Sequence, residues 1–318
     1  MRKIINKERI EGRVYEHNLA IKTVQNSESK NFGTEYIGGT IDIATDDNCL
    51  NVIQVNFPYV TETTSKGNKN STYTALKTII TSGKSVLVDG KDEATMVRID
   101  TALALNDFYT QRNNEEVLVS AKRNNGGFVT IINALGNEDN RNEFECDMLI
   151  NGTQYVEADP EKNIDNDYLI VKGAVFAYNN AILPVDFIVK NQGGIKYFES
   201  LDASPQNLVF TKVWGKINSE TIVRRIEEES AFGEPAVKEY TRTVREWVIT
   251  GTSKADSTYE IGDPENGITL DEIKKAMADR EVYLADVKKR ADDYKASQAA
   301  GGGVSIATAN AAQGGFNF

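Results

Sequence analysis

The chain has 318 residues, 36 Lys+Arg against 47 Asp+Glu, a single histidine and two cysteines, for a net charge of −11. One histidine (His17) excludes a His-pair metal site and any relay that needs two imidazoles. Cys49 and Cys146, far apart and without a C-x-x-C, exclude a disulfide framework and a thiolate zinc site. No apolar run approaches the roughly 18 residues of a membrane span, and Met1–Asn6 has no signal-peptide core, so the expectation is a soluble cytoplasmic protein with no membrane partner.

The acidic balance argues against bulk duplex binding, which usually carries a basic footprint. Charge is uneven, however. Residues 207–250 hold seven Lys/Arg and seven Asp/Glu, so the whole deficit lies elsewhere.

In chain order, period-two alternation of apolar and polar residues predicts strands near 12–24, 35–45, 50–60, 96–109, 116–123 and 128–134. Between the third and fourth, Tyr73, Leu76, Ile79 and Ile80 recur at helical spacing. The polar stretch Gly136–Asn142 marks a boundary, after which the pattern repeats. Glu35-Tyr36-Ile37 is echoed by Asp167-Tyr168-Leu169, and Ile53–Phe57 by Leu183–Phe187. A helical segment at 193–201 then precedes strands at 207–218 and 236–250. Five strands with a helix between the third and fourth is the order of an oligonucleotide/oligosaccharide-binding (OB) barrel. The expected architecture is mainly β: OB-like barrels at 1–137 and 138–262, a helix over 263–300 and a flexible tail at 301–318. Two unrelated β-sandwiches are the alternative.

Thr269-Leu270-Asp271-Glu272 is a capping box, with a hydroxyl at the cap and a carboxylate three residues on. Ile273, Met277, Leu284, Val287, Ala291 and Tyr294 follow at helical spacing, interrupted by Arg280. The last eighteen residues carry no charge and five glycines, too little apolar surface to repay their ordering entropy. Val304, Ile306, Phe316 and Phe318 are its apolar anchors, which suits a partner-binding arm.

Catalytic and cofactor motifs fail one by one. Gly83-Lys84-Ser85 resembles the end of a phosphate-binding loop. Thr78 stands where the first glycine belongs, and a strand at Val86-Leu87-Val88 is expected where the motif needs a helix. Asp159, Glu161, Asn163, Asp165 and Asp167 have calcium-loop spacing, yet Ile164 and Ile170 replace the required glycine and glutamate. Asp46-Asp47 and Glu227-Glu228-Glu229 have no base or nucleophile to work with. The expectation is a non-enzymatic protein with no cofactor and no metal.

A different kind of site remains. Alternation across 208–217 puts Val209, Val213 and Ile217 on one face, with Phe210, Lys212, Trp214 and Lys216 on the other. In 168–178 it separates Leu169, Val171 and Val175 from Tyr168, Lys172, Phe176 and Tyr178. Rings interleaved with cations suit single-stranded nucleic acid, whose bases stack while its phosphates meet charge. Arg224, Arg225, Arg242 and Arg245 extend the track, and the first copy offers Arg98, Phe108, Tyr109, Arg112, Lys122 and Arg123. The competing reading places these aromatics in the core or beneath the C-terminal helix.

Trp214, the run Glu228–Glu234 and the segment Thr241–Gly251 resemble the second barrel of bacteriophage single-stranded DNA-binding proteins with tandem barrels. The likeness is clearest over about 205–251. It implies a coat for single strands during replication or recombination, and a tail that recruits replication partners or further copies. The aromatic end, Phe318, fits that pattern, whereas the absence of acidic residues from the last eighteen departs from it. A virion or assembly protein making protein contacts only is the alternative.

Overall fold

The computed structural model describes residues 3–113, 115–159, 164–228, 232, 236–254, 259–263, 265 and 267–299, excepting the side chains at 220, 222–228, 236, 238–242 and 298–299. The first set of elements is β1 (Asn6–His17), β2 (Ala20–Thr23), β3 (Glu35–Ala44), β4 (Val52–Thr61), α1 (Ser71–Ser82), α2 (Val86–Asp89), β5 (Met96–Arg112) and β6 (Glu115–Ile132). The second is β7 (Asn142–Val156), β8 (Tyr168–Phe176), β9 (Ile182–Val189), α3 (Gln192–Ser200), β10 (Val209–Glu228), β11 (Ala236–Thr252) and α4 (Leu270–Ala299).

Each set closes on itself. The first ring runs β1–β3–β4–β6–β5 and back to β1, antiparallel except where β4 meets β6 at Val55↔Asn124. The second runs β7–β8–β9–β11–β10 and back to β7, parallel only at Val248↔Ile188. The helix lies between the third and fourth ring strands each time. This is the OB-like order in tandem, and closure removes the open edges that a β-sandwich would keep. The two rings are joined through their first strands. β1 and β7 pair antiparallel, with Lys7↔Glu145 and Arg9↔Glu143, so all eleven strands belong to one sheet.

Alternation builds both interiors. Ile10, Ile41, Ile43, Val55, Phe57, Val97 and Ile99 are buried in the first ring, and Val171, Val175, Phe187, Val213 and Ile217 in the second. Helix α1 starts at Asn70, whose side chain accepts from the Thr72 amide at 3.1 Å, and turns Tyr73, Leu76 and Ile79 inward. Those are the residues whose spacing predicts it.

Four local expectations differ from the structure. The single strand expected at 12–24 is two, β1 and β2, separated at Asn18 and Leu19. The strands expected at 116–123 and 128–134 are one strand, β6. Gly126 does not break it, because the missing side chain makes room for the Phe57 ring; a Cβ there would collide with it. Val86-Leu87-Val88 forms the one-turn α2 rather than a strand. With Thr78 in place of the first glycine, the phosphate-loop reading still lacks its cradle. Strand β7, which carries the inter-ring pairing, has no counterpart among the predicted strands.

Helix α4 opens with the expected reciprocal cap: Thr269 Oγ1 accepts from the Glu272 amide at 3.2 Å, and Glu272 Oε2 accepts from the Thr269 amide at 2.9 Å. Over 30 residues it spans about 45 Å. Ile273 and Ala276, with Ile268 before them, pack on Leu149, Phe176 and Phe210 of the second ring. Farther along, the helix lies on the β5–β6 hairpin of the first. Arg280, an interruption in the apolar stripe, is the inward anchor there, forked onto Asp107 at 2.8 and 2.6 Å. Met277 points outward instead. Among the described residues no helix is long and apolar enough to cross a membrane. The tail, with Phe316 and Phe318, lies outside them, as does most of the run 228–234 that contributes to the resemblance.

Candidate nucleic-acid interface

Where the rings join, the outer faces of β5, β1, β7 and β10 form the floor of a groove of about 720 Å³. Its charged and aromatic lining comes from both rings. β1 supplies Lys7 and Arg9, β5 Asp100, β7 Glu143 and Glu145, and β10 Lys212, Trp214 and Lys216. The alternation that buries Val213 and Ile217 turns Lys212, Trp214 and Lys216 outward, as the sequence predicts.

Trp214 is 41% exposed. The β10–β11 register shifts between Trp214 and Gly215, and such bulges re-aim a side chain. The indole lies against Gly251 on β11, where any Cβ would run into the ring. Gly251, which sequence reasoning did not single out, therefore supports the underside of the ring. Its only sequence signal is a glycine inside a strand, which marks a close approach.

The cations are paired. Lys7 and Lys212 share Glu145, at 2.7 and 2.8 Å; Lys216 lies 3.3 Å from Glu143, and Arg9 lies 3.4 Å from Asp100. Burial alone would raise the Glu145 pKa, but the two lysines hold it below the ordinary glutamate value. The hydrogen bond from Lys212 to Glu145 in turn raises the lysine. The groove is a row of alternating signs, not a purely cationic track.

Several other predicted residues are placed elsewhere. Phe176 and Phe210, 1% and 4% exposed, meet edge to face at 6.3 Å under the start of α4, so the helix covers the outer face on which they were expected to stack. Lys122 is packed between the rings. Its Nζ lies 4.8 Å from the Trp247 ring centre and 5.8 Å from that of Phe187, and donates to the Asp186 carbonyl at 2.6 Å. Burial pushes its pKa down. Tyr109 lies under α4, with Lys288 Nζ 5.2 Å from its ring centre. Arg98 is engaged too, donating at 2.6 Å to the buried Glu11. The corrections for Phe176 with Phe210, for Lys122 and for Tyr109 share one cause: alternation sorts residues between two faces but does not say what covers each face, whereas Arg98 stays exposed.

Tyr168, Lys172 and the exposed Tyr178 do not line the groove. Arg245 is exposed on β11, while the side chains of Arg224, Arg225 and Arg242 are outside the described set. Phe108, Arg112 and Arg123 are exposed on the β5–β6 hairpin. No cluster of three potential metal ligands occurs among the described residues.

Beneath the groove lies Glu8, which no sequence pattern marks. It is buried on the inner side of β1, accepting from Thr101 Oγ1 at 2.7 Å and from Trp247 Nε1 at 3.0 Å. Desolvation raises its pKa to about 7 against the pull of those two hydrogen bonds.

Two joined OB-like rings with a shared groove thus define the class of fold. The chain belongs to the YorF family, whose family model matches residues 5–290. No curated protein matches. Two solved structures of the single-stranded DNA-binding protein from Thermus aquaticus are similar to it. A deletion variant has 9% identity and TM-score 0.45, over 83% of this chain and 100% of that one. The wild type has 7% and 0.43, over 80% and 94%.

Proposed function

We propose that this protein binds single-stranded DNA without catalysing a reaction, and that it coats single strands during phage DNA replication or recombination. The observation that carries the binding reading is Trp214: a half-exposed indole, supported on one side by Gly251, in a groove holding four cations from two rings. A base stacked on such a ring contributes about 1–3 kcal/mol. Phosphates alongside take Lys212, Lys216, Lys7 and Arg9 from their carboxylate partners, exchanging one ion pair for another. The replication role draws on the phage resemblance. Recruitment of replication partners or further copies through α4 and the tail accompanies it.

A second reading, protein contacts only, is favoured by Glu143, Glu145 and Asp100 among the cations, since alternating signs also suit a peptide of mixed charge. Anisotropy of labelled oligothymidylate, with duplex DNA and single-stranded RNA of equal length at two salt concentrations, separates the two. Binding to the single strand that weakens steeply with salt, with quenching of Trp214, supports the proposal. Unchanged anisotropy and fluorescence with every nucleic acid overturn it in favour of protein contacts.

A further inference from the structure

The floor of the groove is a checkerboard of charge. Strand register sets Asp100, Arg9, Glu143 and Lys216 side by side across β5, β1, β7 and β10, so the sign changes at every strand. The neighbouring row on the same face holds Lys7, Glu145 and Trp214 across β1, β7 and β10. With Lys212 included, the outward-facing cations exceed the carboxylates by a single charge.

Glu145 is the carboxylate at the centre of this pattern. Lys7 stands directly opposite it on one strand and Trp214 on the other, and it pairs with two lysines at once. Its side chain is 27% exposed, against 46% for Glu143 and 52% for Asp100, so it is the most enclosed of the three. Directly opposed residues on neighbouring strands have Cβ atoms about 4.5–5.5 Å apart. A base stacked on Trp214 therefore comes down beside Glu145, and rotation about the bonds of a single strand lets its phosphates swing past the carboxylate to Lys7 and Lys212. A duplex has no such freedom. Its bases are paired inside, its two strands carry one charge per about 1.7 Å of axis, and phosphates that reach Lys7 and Lys212 also face the carboxylate between them.

From this we infer that Glu145 sets the selectivity of the groove for single strands over duplex. It competes with phosphate for Lys7 and Lys212, which penalises a polyanion offering charge alone; a ligand that also stacks a base on Trp214 recovers the difference. The inference rests on the reading of the groove as a single-strand site and names the residue that governs its selectivity. A carboxylate that loses its lysines takes up a salt cation, which cancels part of the counterion release from the phosphates. Glu145 thus flattens the salt dependence of binding as well as weakening it.

Glu145→Gln keeps the shape of the side chain and removes its charge. Anisotropy with labelled oligothymidylate and with duplex DNA of equal length, over a salt series that begins low, reads the effect. Duplex affinity should rise about tenfold or more and single-strand affinity by about threefold at most, because the denser charge of the duplex meets the carboxylate more strongly. The logarithmic slope on the single strand should steepen by about 0.7, the release that one phosphate contributes. A merely structural role for Glu145 would leave that slope unchanged. Trp214→Ala tests the same selectivity without touching Glu145: it should weaken the single strand about fivefold or more and leave duplex affinity as it was. Equal gains on both ligands in Glu145→Gln, an unaltered slope, or equal losses on both in Trp214→Ala overturn the inference while leaving the groove intact. Wild-type protein that binds no single strand overturns the groove reading, and this inference with it.

Discussion

Replacing Glu8 with Gln should stabilise the protein above neutral pH and change the pH dependence of its stability in a calculable way. The carboxyl is fully buried between the rings, and its pKa is raised from the ordinary 4.5 to about 7. Between those values the unfolded chain releases the proton while the native chain keeps it. The native state therefore binds more protons, and stability falls as pH rises through this window, by about 1.4 kcal/mol per pH unit at most. Above about pH 7 the loss is complete, at about 3 kcal/mol. Gln does not titrate. Its oxygen accepts from the Trp247 indole, and its amide donates to Thr101 once that hydroxyl rotates, so both hydrogen bonds are retained. Urea unfolding of wild type and Glu8→Gln from about pH 4 to pH 8 should show the variant gaining on wild type through the window. The difference between the two curves is the quantity to read, since every other titrating group cancels from it. Emission from Trp247, which donates to Glu8 at 3.0 Å, should shift over the same range in wild type and stay constant in the variant. A stability difference that is the same at every pH would refute the reasoning, because it would mean that Glu8 titrates alike in the folded and unfolded chain.

Trp214→Ala should weaken oligothymidylate binding by about 1–3 kcal/mol while leaving the melting temperature unchanged; unaltered affinity by anisotropy would place the strand elsewhere. Lys212→Ala with Lys216→Ala should lower the logarithmic salt slope by about 0.7 for each phosphate that a lysine no longer neutralises, and an identical slope in a salt titration would show that these lysines meet no phosphate. Arg280→Ala leaves the Asp107 carboxylate buried without its fork and should cost about 3–5 kcal/mol in urea unfolding. Arg280→Met with Asp107→Leu should recover most of that loss, and equal destabilisation of the single and double variants would mean that the ion pair is not its source.

What the chain by itself determined is the local order of the fold. Period-two alternation marked most ring strands, the Tyr73–Ile80 spacing marked α1, and Thr269 with Glu272 marked the start of α4. Alternation also established that Lys212, Trp214 and Lys216 share a face, because neighbouring side chains on a strand must point to opposite sides. Tertiary structure alone decided what each outer face meets. Phe176 and Phe210 have the same interleaved pattern as Trp214, yet α4 covers them, while Gly251 supports the underside of the Trp214 indole and leaves the ring half exposed. Lys122 and Arg123 are adjacent in the chain, but one is packed against Trp247 of the other ring and the other is exposed on the β5–β6 hairpin. Arg280 breaks an apolar stripe when read along the helix and becomes its anchor once Asp107 lies opposite. The β1–β7 pairing, which creates the groove, joins residues more than 130 positions apart. Periodicity reports which side of a strand a residue occupies; what that side contacts depends on elements distant in the chain, which only the closed and joined rings bring together.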